Sequence, residues 1–130
     1  MYRLIAKTLG ILSLACMGLV ITATAQAPAQ PQAGTSVIAV MHIDVIPTNV
    51  EAATQLLKIY RYETLKESGI VSCKIYQQIG RANHYTLVEE WADQAAYDAH
   101  IGTTHTRQFR DKIQPLLGGP LDERMHTELE

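Results

Sequence analysis

Five histidines, one cysteine outside the first 25 residues and a small set of aromatics carry whatever chemistry this chain can do. His42, His84, Trp91, Tyr97, His100, His105, Phe109 and His126 are the groups to weigh. Tyr97 and His100 are three apart, which places them on one face of a helix, with Asp93 one turn earlier. His105 opens the next helical piece near its positive dipole end, a setting that favours a neutral imidazole. A neutral histidine takes a proton from a phenol or binds one through a hydrogen bond. The same histidines also fit a role in capping or packing. Trp91 ends a strand, where an aromatic lines a core or a pocket.

No two histidines stand three or four residues apart and there is no Cys-x-x-Cys, so no metal site of the usual local type is expected. Gly80 and Gly118-Gly119 are isolated turn glycines rather than a phosphate-binding loop, and a Rossmann nucleotide site lacks its crossover unit. Cys73 lies in the strand-like run Ile70-Val71-Ser72-Cys73-Lys74-Ile75-Tyr76. It reads as a small buried apolar residue, with a reactive thiol as the other option.

The elements that position these groups follow from pattern. Arg3 and Lys7 precede an uncharged 13-residue stretch, Leu9 to Ile21, and Thr22-Ala23-Thr24-Ala25 supplies small residues before a cut. This is the form of a secretory signal peptide, expected over residues 1–25 with cleavage after Ala25; the apolar run is short for a stable membrane anchor. Residues 26–36, rich in Pro, Gln, Ala and Gly, read as a flexible linker. A product exported to the periplasm or medium is expected, with one domain over residues 37–130. Losing residues 1–25 removes two of 11 basic residues and none of the 13 acidic ones, moving the formal net charge from −2 to −4. Such a domain is a poor partner for nucleic acid or an anionic membrane.

Within that domain Val37 to Ile46 reads as a strand apolar on both sides, ended by Pro47. Thr48-Asn49-Val50-Glu51 has the form of a capping box, and Val50, Ala53, Leu57 and Tyr60 mark one face of a helix that stops after Lys66, before Gly69. Ile70–Gln77, with Val71, Cys73 and Ile75 on one side, and His84–Trp91 read as a hairpin across the turn Gly80–Asn83. Helices are expected over Gln94–Ile101, capped by Asp93, and His105–Leu117, kinked or ended by Pro115, followed by a strand over Leu121–Leu129. The fold class is α+β, a ferredoxin-like β-α-β-β-α-β sandwich. An apolar first strand leaves the outer face of the sheet to be covered, so a homodimer packed sheet on sheet is expected.

Glu90-Trp91, then Tyr97-Asp98-Ala99-His100, Thr104-His105 and Phe109 resemble the antibiotic biosynthesis monooxygenase (ABM) domain family, in this same element order. Gly69 before the second strand and Pro120-Leu121 before the last fit as well. The resemblance covers about Val37 to Leu129 and implies a dimeric α+β barrel with a pocket between sheet and helices. It also implies, by likeness to quinol monooxygenases, oxidation of a quinol or phenolic aromatic by O₂ with no cofactor and no metal. The protein then supplies a dry pocket, a base and oriented hydrogen bonds. On the match, His100 and His105 are the catalytic groups, and Trp91, Tyr97 and Phe109 shape the substrate pocket. Only His100, His105 and Trp91 rest on motif positions; Tyr97, Phe109, Tyr60 and His42 are placed in that pocket from their faces. Haem-degrading relatives use an Asn on the first strand where this chain offers Val40 and His42, so the haem branch is disfavoured. The alternative is an exported, non-catalytic binding protein for a small aromatic or apolar ligand in the same pocket.

Overall fold

Alternation along the first strand decides the architecture. In the computed structural model, which describes residues 36–129, β1 (Val37–Asp44) turns Val37, Ala39, Met41 and Ile43 inward and buries them. Ile38, Val40, His42 and Asp44 turn to the opposite side. The expected signal peptide and nearly all of the linker lie outside the described residues. The strand ends two residues before the expected Ile46, where Val45 makes an isolated bridge to Leu117.

The expected capping box does not form. Pro47–Asn49 make a 3₁₀ turn that absorbs Thr48, the N-cap falls on Asn49 without a side-chain bond, and Glu51 instead accepts from Gln55 at 2.9 Å. Proline fixes φ at a helical value and so starts the turn early. Helix α1 (Val50–Thr64) buries Ala53, Leu57, Tyr60 and Thr64 along one stripe. It closes at Leu65, whose N–H donates to the Arg61 carbonyl at 3.0 Å, one or two residues before the expected end at Lys66.

Strands β2 (Ile70–Gln78) and β3 (Arg81–Trp91) form the expected hairpin, but β3 begins three residues earlier than His84 because Ile79-Gly80 alone make the turn. A bulge between Ile70 and Ser72 corrects the expected facing of β2. Val71 is pushed out and is exposed, Cys73 is buried opposite Glu89, and Ile75 lies opposite Leu87. Helix α2 (Gln94–Ile101) is capped by Asp93, which accepts from the Ala96 N–H at 2.8 Å. Helix α3 (Thr104–Ile113) is capped by Thr103 and is converted to a 3₁₀ turn at Gln114–Leu116 by Pro115, so it is shorter than expected. The last strand, β4 (Asp122–His126), is also shorter than Leu121–Leu129.

All neighbours in the sheet, ordered β2-β3-β1-β4, are antiparallel. This is the expected α+β, ferredoxin-like arrangement. One sheet face packs Met41, Ile43, Cys73, Tyr85 and Leu87 against Ala53, Leu57 and Tyr60 of α1 and Phe109 and Ile113 of α3. Ala39 and Trp91 form a second, smaller cluster with Tyr97 of α2. Each fully buried aliphatic contributes on the order of 1.5–3 kcal/mol. Among the described residues, no helix is long and apolar enough to cross a membrane.

Two glycines adopt positive φ, Gly69 at 87° and Gly80 at 81°. A Cβ on Gly69 would lie 2.5 Å from the Cβ of Ala96, whereas one on Gly80 meets nothing within 4 Å. Gly80→Ala should therefore cost about 1 kcal/mol of unfolding free energy, the left-handed backbone penalty alone. Gly69→Ala should cost about 3 kcal/mol, because overpacking adds to that penalty. Urea denaturation of the two variants reads the difference, and equal losses would mean that the Gly69–Ala96 approach is not tight.

Candidate functional site

Where α1, α2 and α3 meet above β3, polar side chains replace apolar ones. His100, on α2, is 1% exposed and lies against the Trp91 indole, with ring centroids 4.6 Å apart. Its Nδ1 is 2.6 Å from Glu67 Oε1, and its Nε2 is 2.8 Å from the Tyr60 hydroxyl. With Glu67 as acceptor, Nδ1 carries the proton and Nε2 accepts from Tyr60. Burial, and then the Glu89 carboxylate, push the Tyr60 phenol well above its ordinary range, which keeps it protonated and able to donate. The Thr106 hydroxyl lies 3.3 Å from Nδ1 and completes the wall on the α3 side.

Beneath this pair, Glu89 on β3 is 2% exposed, with Oε2 3.6 Å from His100 Nε2. Burial raises its pKa above the ordinary carboxylate value. His100 opposes that shift, as do the Tyr60 hydroxyl and the Trp91 N–H. The Trp91 nitrogen is buried without an aligned hydrogen-bond partner, so its help to the carboxylate is through field rather than a full bond. Cys73 Sγ is 4.0 Å from Glu89 Oε1, and burial together with Glu89 pushes the thiol up to about 12. A thiol held protonated in this way packs; it is no nucleophile.

On the solvent side, His105 of α3 is 24% exposed, and its Nε2 lies 2.9 Å from the same Glu67 Oε1. The contact is close, yet the ring N–H is not aligned for a hydrogen bond. His105 borders a groove of about 450 Å³ between α1 and α3, together with Tyr60, Glu63, Thr104, Gln108 and Phe109. Phe109 stacks on Tyr60 at 4.1 Å. Tyr97 donates to Glu123 Oε1 at 2.9 Å, and Arg110 donates to Glu123 Oε2 at 2.7 Å. That pair closes the side toward β4.

The fold thus gathers His100, His105, Trp91, Tyr97, Phe109 and Tyr60 into one cluster. His42 is not part of it. Strand alternation puts His42 on the opposite sheet face, where its Nδ1 is 3.3 Å from the Thr86 hydroxyl and it borders a separate shallow cleft with Asp44 and His84. His100 and Trp91 also have no open surface, so only His105, Tyr60 and Phe109 of the expected residues border the groove. Two carboxylates were not anticipated from sequence. Glu89 carried a signal, an acid in register with inward Tyr85, Leu87 and Trp91. Glu67 carried none, since it sits in a polar stretch after the helix.

A family model described as antibiotic biosynthesis monooxygenase matches residues 36–112, and the chain belongs to that family. It is 35% identical over 63 residues to Putative monooxygenase YcnE of Bacillus subtilis strain 168, covering 48% of this chain and 65% of that protein. It is 26% identical over 89 residues to the uncharacterized protein sll1783 of Synechocystis sp., covering 68% of this chain and 60% of that one. The chain spans just under two thirds of the length of both curated relatives. A crystal structure of a conserved protein from Methanosarcina mazei Go1 superposes with a TM-score of 0.71 at 25% identity, over 75% of this chain and 96% of that chain.

The raised pKa of Glu89 has a stability consequence. The native state holds this proton more tightly than the unfolded chain, so the contribution is full in acid and is lost as pH rises through the native pKa. Glu89→Gln removes the titration. Its stability relative to the parent should rise as pH is raised from 4 to 8. Urea denaturation across that range checks it, and a difference that stays flat with pH would contradict the assignment.

Proposed function

We propose that this protein is a cofactor-independent monooxygenase that oxidises a quinol or phenolic aromatic with O₂ in the groove between α1 and α3. The observation that carries the reading is the Glu67 carboxylate held 2.9 Å from the buried His105 Nε2, on a histidine that lines a groove walled by Tyr60 and Phe109. Family membership and the name of the Bacillus relative support a monooxygenase role.

His105 takes the phenolic proton, and Glu67 stabilises the imidazolium that results. The electron-rich phenolate passes an electron to O₂, and the two radicals combine at a ring carbon to give a hydroperoxide. Loss of water then leaves a hydroxyquinone. One oxygen atom enters the ring and the other leaves as water, with all four electrons supplied by the dihydroxyaromatic. Tyr60 and Phe109 form the apolar floor that the ring lies against. His100 positions Glu67 from inside and does not touch the substrate.

Two assembly features belong to the same reading. Ile38, Val40 and Val88 form an apolar strip on the outer sheet face, which a second copy would cover to make a homodimeric barrel. The N-terminal basic and apolar segment sends the domain out of the cytoplasm, so its substrate is periplasmic or extracellular. The closed surfaces of His100 and Trp91 favour the second reading, a binding protein that holds an aromatic ligand in the groove without turning it over.

Oxygen uptake with a panel of hydroquinones and dihydroxyaromatics separates the two. Turnover above the autoxidation blank, falling about 100-fold or more in His105→Ala, is the expected result. Binding of those aromatics without uptake would make the non-catalytic reading the better one. For assembly, the chain should sediment as a dimer and Val40→Glu as a monomer. A parent that sediments as a monomer would rule out the barrel.

A further inference from the structure

We propose that Glu67, His100 and His105 form a binding site for a divalent transition ion such as Zn²⁺. The inference does not depend on the proposed reaction.

One donor atom from each of the three residues lies within 4.8 Å of the others, and His100 Nδ1 and His105 Nε2 already converge on a single oxygen, Glu67 Oε1. Two imidazoles and one carboxylate suit zinc and its late first-row neighbours, and suit magnesium or calcium poorly. Metal–ligand bonds of about 2.0–2.2 Å put donors about 3.3 Å apart, so Glu67 Oε1 must draw back by about 0.7 Å from His100 Nδ1 and about 0.4 Å from His105 Nε2. His100 is locked by packing, but Glu67 and His105 are partly exposed and have room to give.

The surroundings of His100 also suit a ligating imidazole. When Nδ1 binds an ion, the ring proton moves to Nε2, which faces the Tyr60 oxygen at 2.8 Å and the buried Glu89 carboxylate at 3.6 Å. A carboxylate behind the second nitrogen of a ligating histidine fixes its tautomer and raises its basicity. This gives Glu89 a reason to be buried on a strand face that is otherwise apolar. On the outer side, the buried His105 nitrogen lacks an aligned hydrogen bond, and an ion would satisfy it. Three protein ligands leave a coordination position for a water molecule.

The site was invisible to spacing rules because it is assembled from three elements. His100 and His105 are on different helices, and Glu67 comes from the α1–β2 connection. An ion held there occupies His105 Nε2 and removes the residue from proton transfer, so metal occupancy and the proposed oxidation compete for one group.

The test is binding, not turnover. The chelator-stripped full chain is titrated with Co²⁺ by visible absorption and with Zn²⁺ by calorimetry. One ion per chain is expected, with affinity weakened more than about 100-fold in Glu67→Gln and in His105→Ala, and about 10-fold in Glu89→Gln. His84→Ala, on the other sheet face, should bind as the parent does. Absence of saturable binding, or binding that survives both ligand variants, would overturn the proposal. Loss on His84→Ala would do the same, by placing the ion in the cleft with His42 and Asp44.

Discussion

The contact between Glu67 and His100 is the one on which the rest of the helical layer depends. An imidazole buried to 1% exposure is costly unless both nitrogens are engaged, and here one meets Glu67 and the other Tyr60. Those partners come from α1 and from the connection that follows it, while His100 is on α2 and Thr106 on α3. Helices of eight and ten residues are not stable alone. Part of what holds α2 and α3 in place is therefore polar, and it is directional in a way that leucine contacts are not.

That contact in turn depends on a backbone detail. Glu67 reaches His100 because the chain leaving α1 turns sharply at Gly69, whose carbonyl accepts from the Ala92 N–H at 2.8 Å and whose missing side chain lets Ala96 approach. The first turn of α2 is thereby docked on the connection that carries Glu67. Any side chain at position 69 would push the connection and the helix apart, and would loosen the carboxylate from both histidines. Close backbone approach at one residue thus sets side-chain geometry at another.

The element order and sheet faces were legible because they rest on local patterns. The alternation in Val37–Asp44 and Tyr85–Trp91, the Asp93 cap and the Pro115 stop all report on neighbours in sequence. What was misread involved competition between local signals or contacts made far along the chain. Pro47 overrode the Thr48–Glu51 capping pattern, and a bulge at Val71 shifted the register of β2 so that Val71 and Cys73 no longer share a face. His100, His105 and Trp91 were named from the family pattern, whereas Tyr97, Phe109, Tyr60 and His42 were placed by face, and His42 lies on the opposite side of the sheet. Glu67 depends on a contact spanning 33 positions, and no window of sequence reveals that.

Geometry also divides the work between the two histidines. His100 has both nitrogens occupied and no surface open to a ligand, so direct proton transfer through it would require α2 to lift away from Trp91 and Tyr60. His105 needs no such movement, because its ring already borders the groove. Their shared carboxylate makes the two interdependent. When His105 gains a proton, Glu67 must stabilise it, and its hold on His100 weakens by the same competition. The Tyr60 hydroxyl and Glu89 then become the groups that keep His100 in place. A charge at the groove is thus felt at the bottom of the core within two contacts, which accounts for ionisable residues in a layer that could otherwise have been filled with leucine.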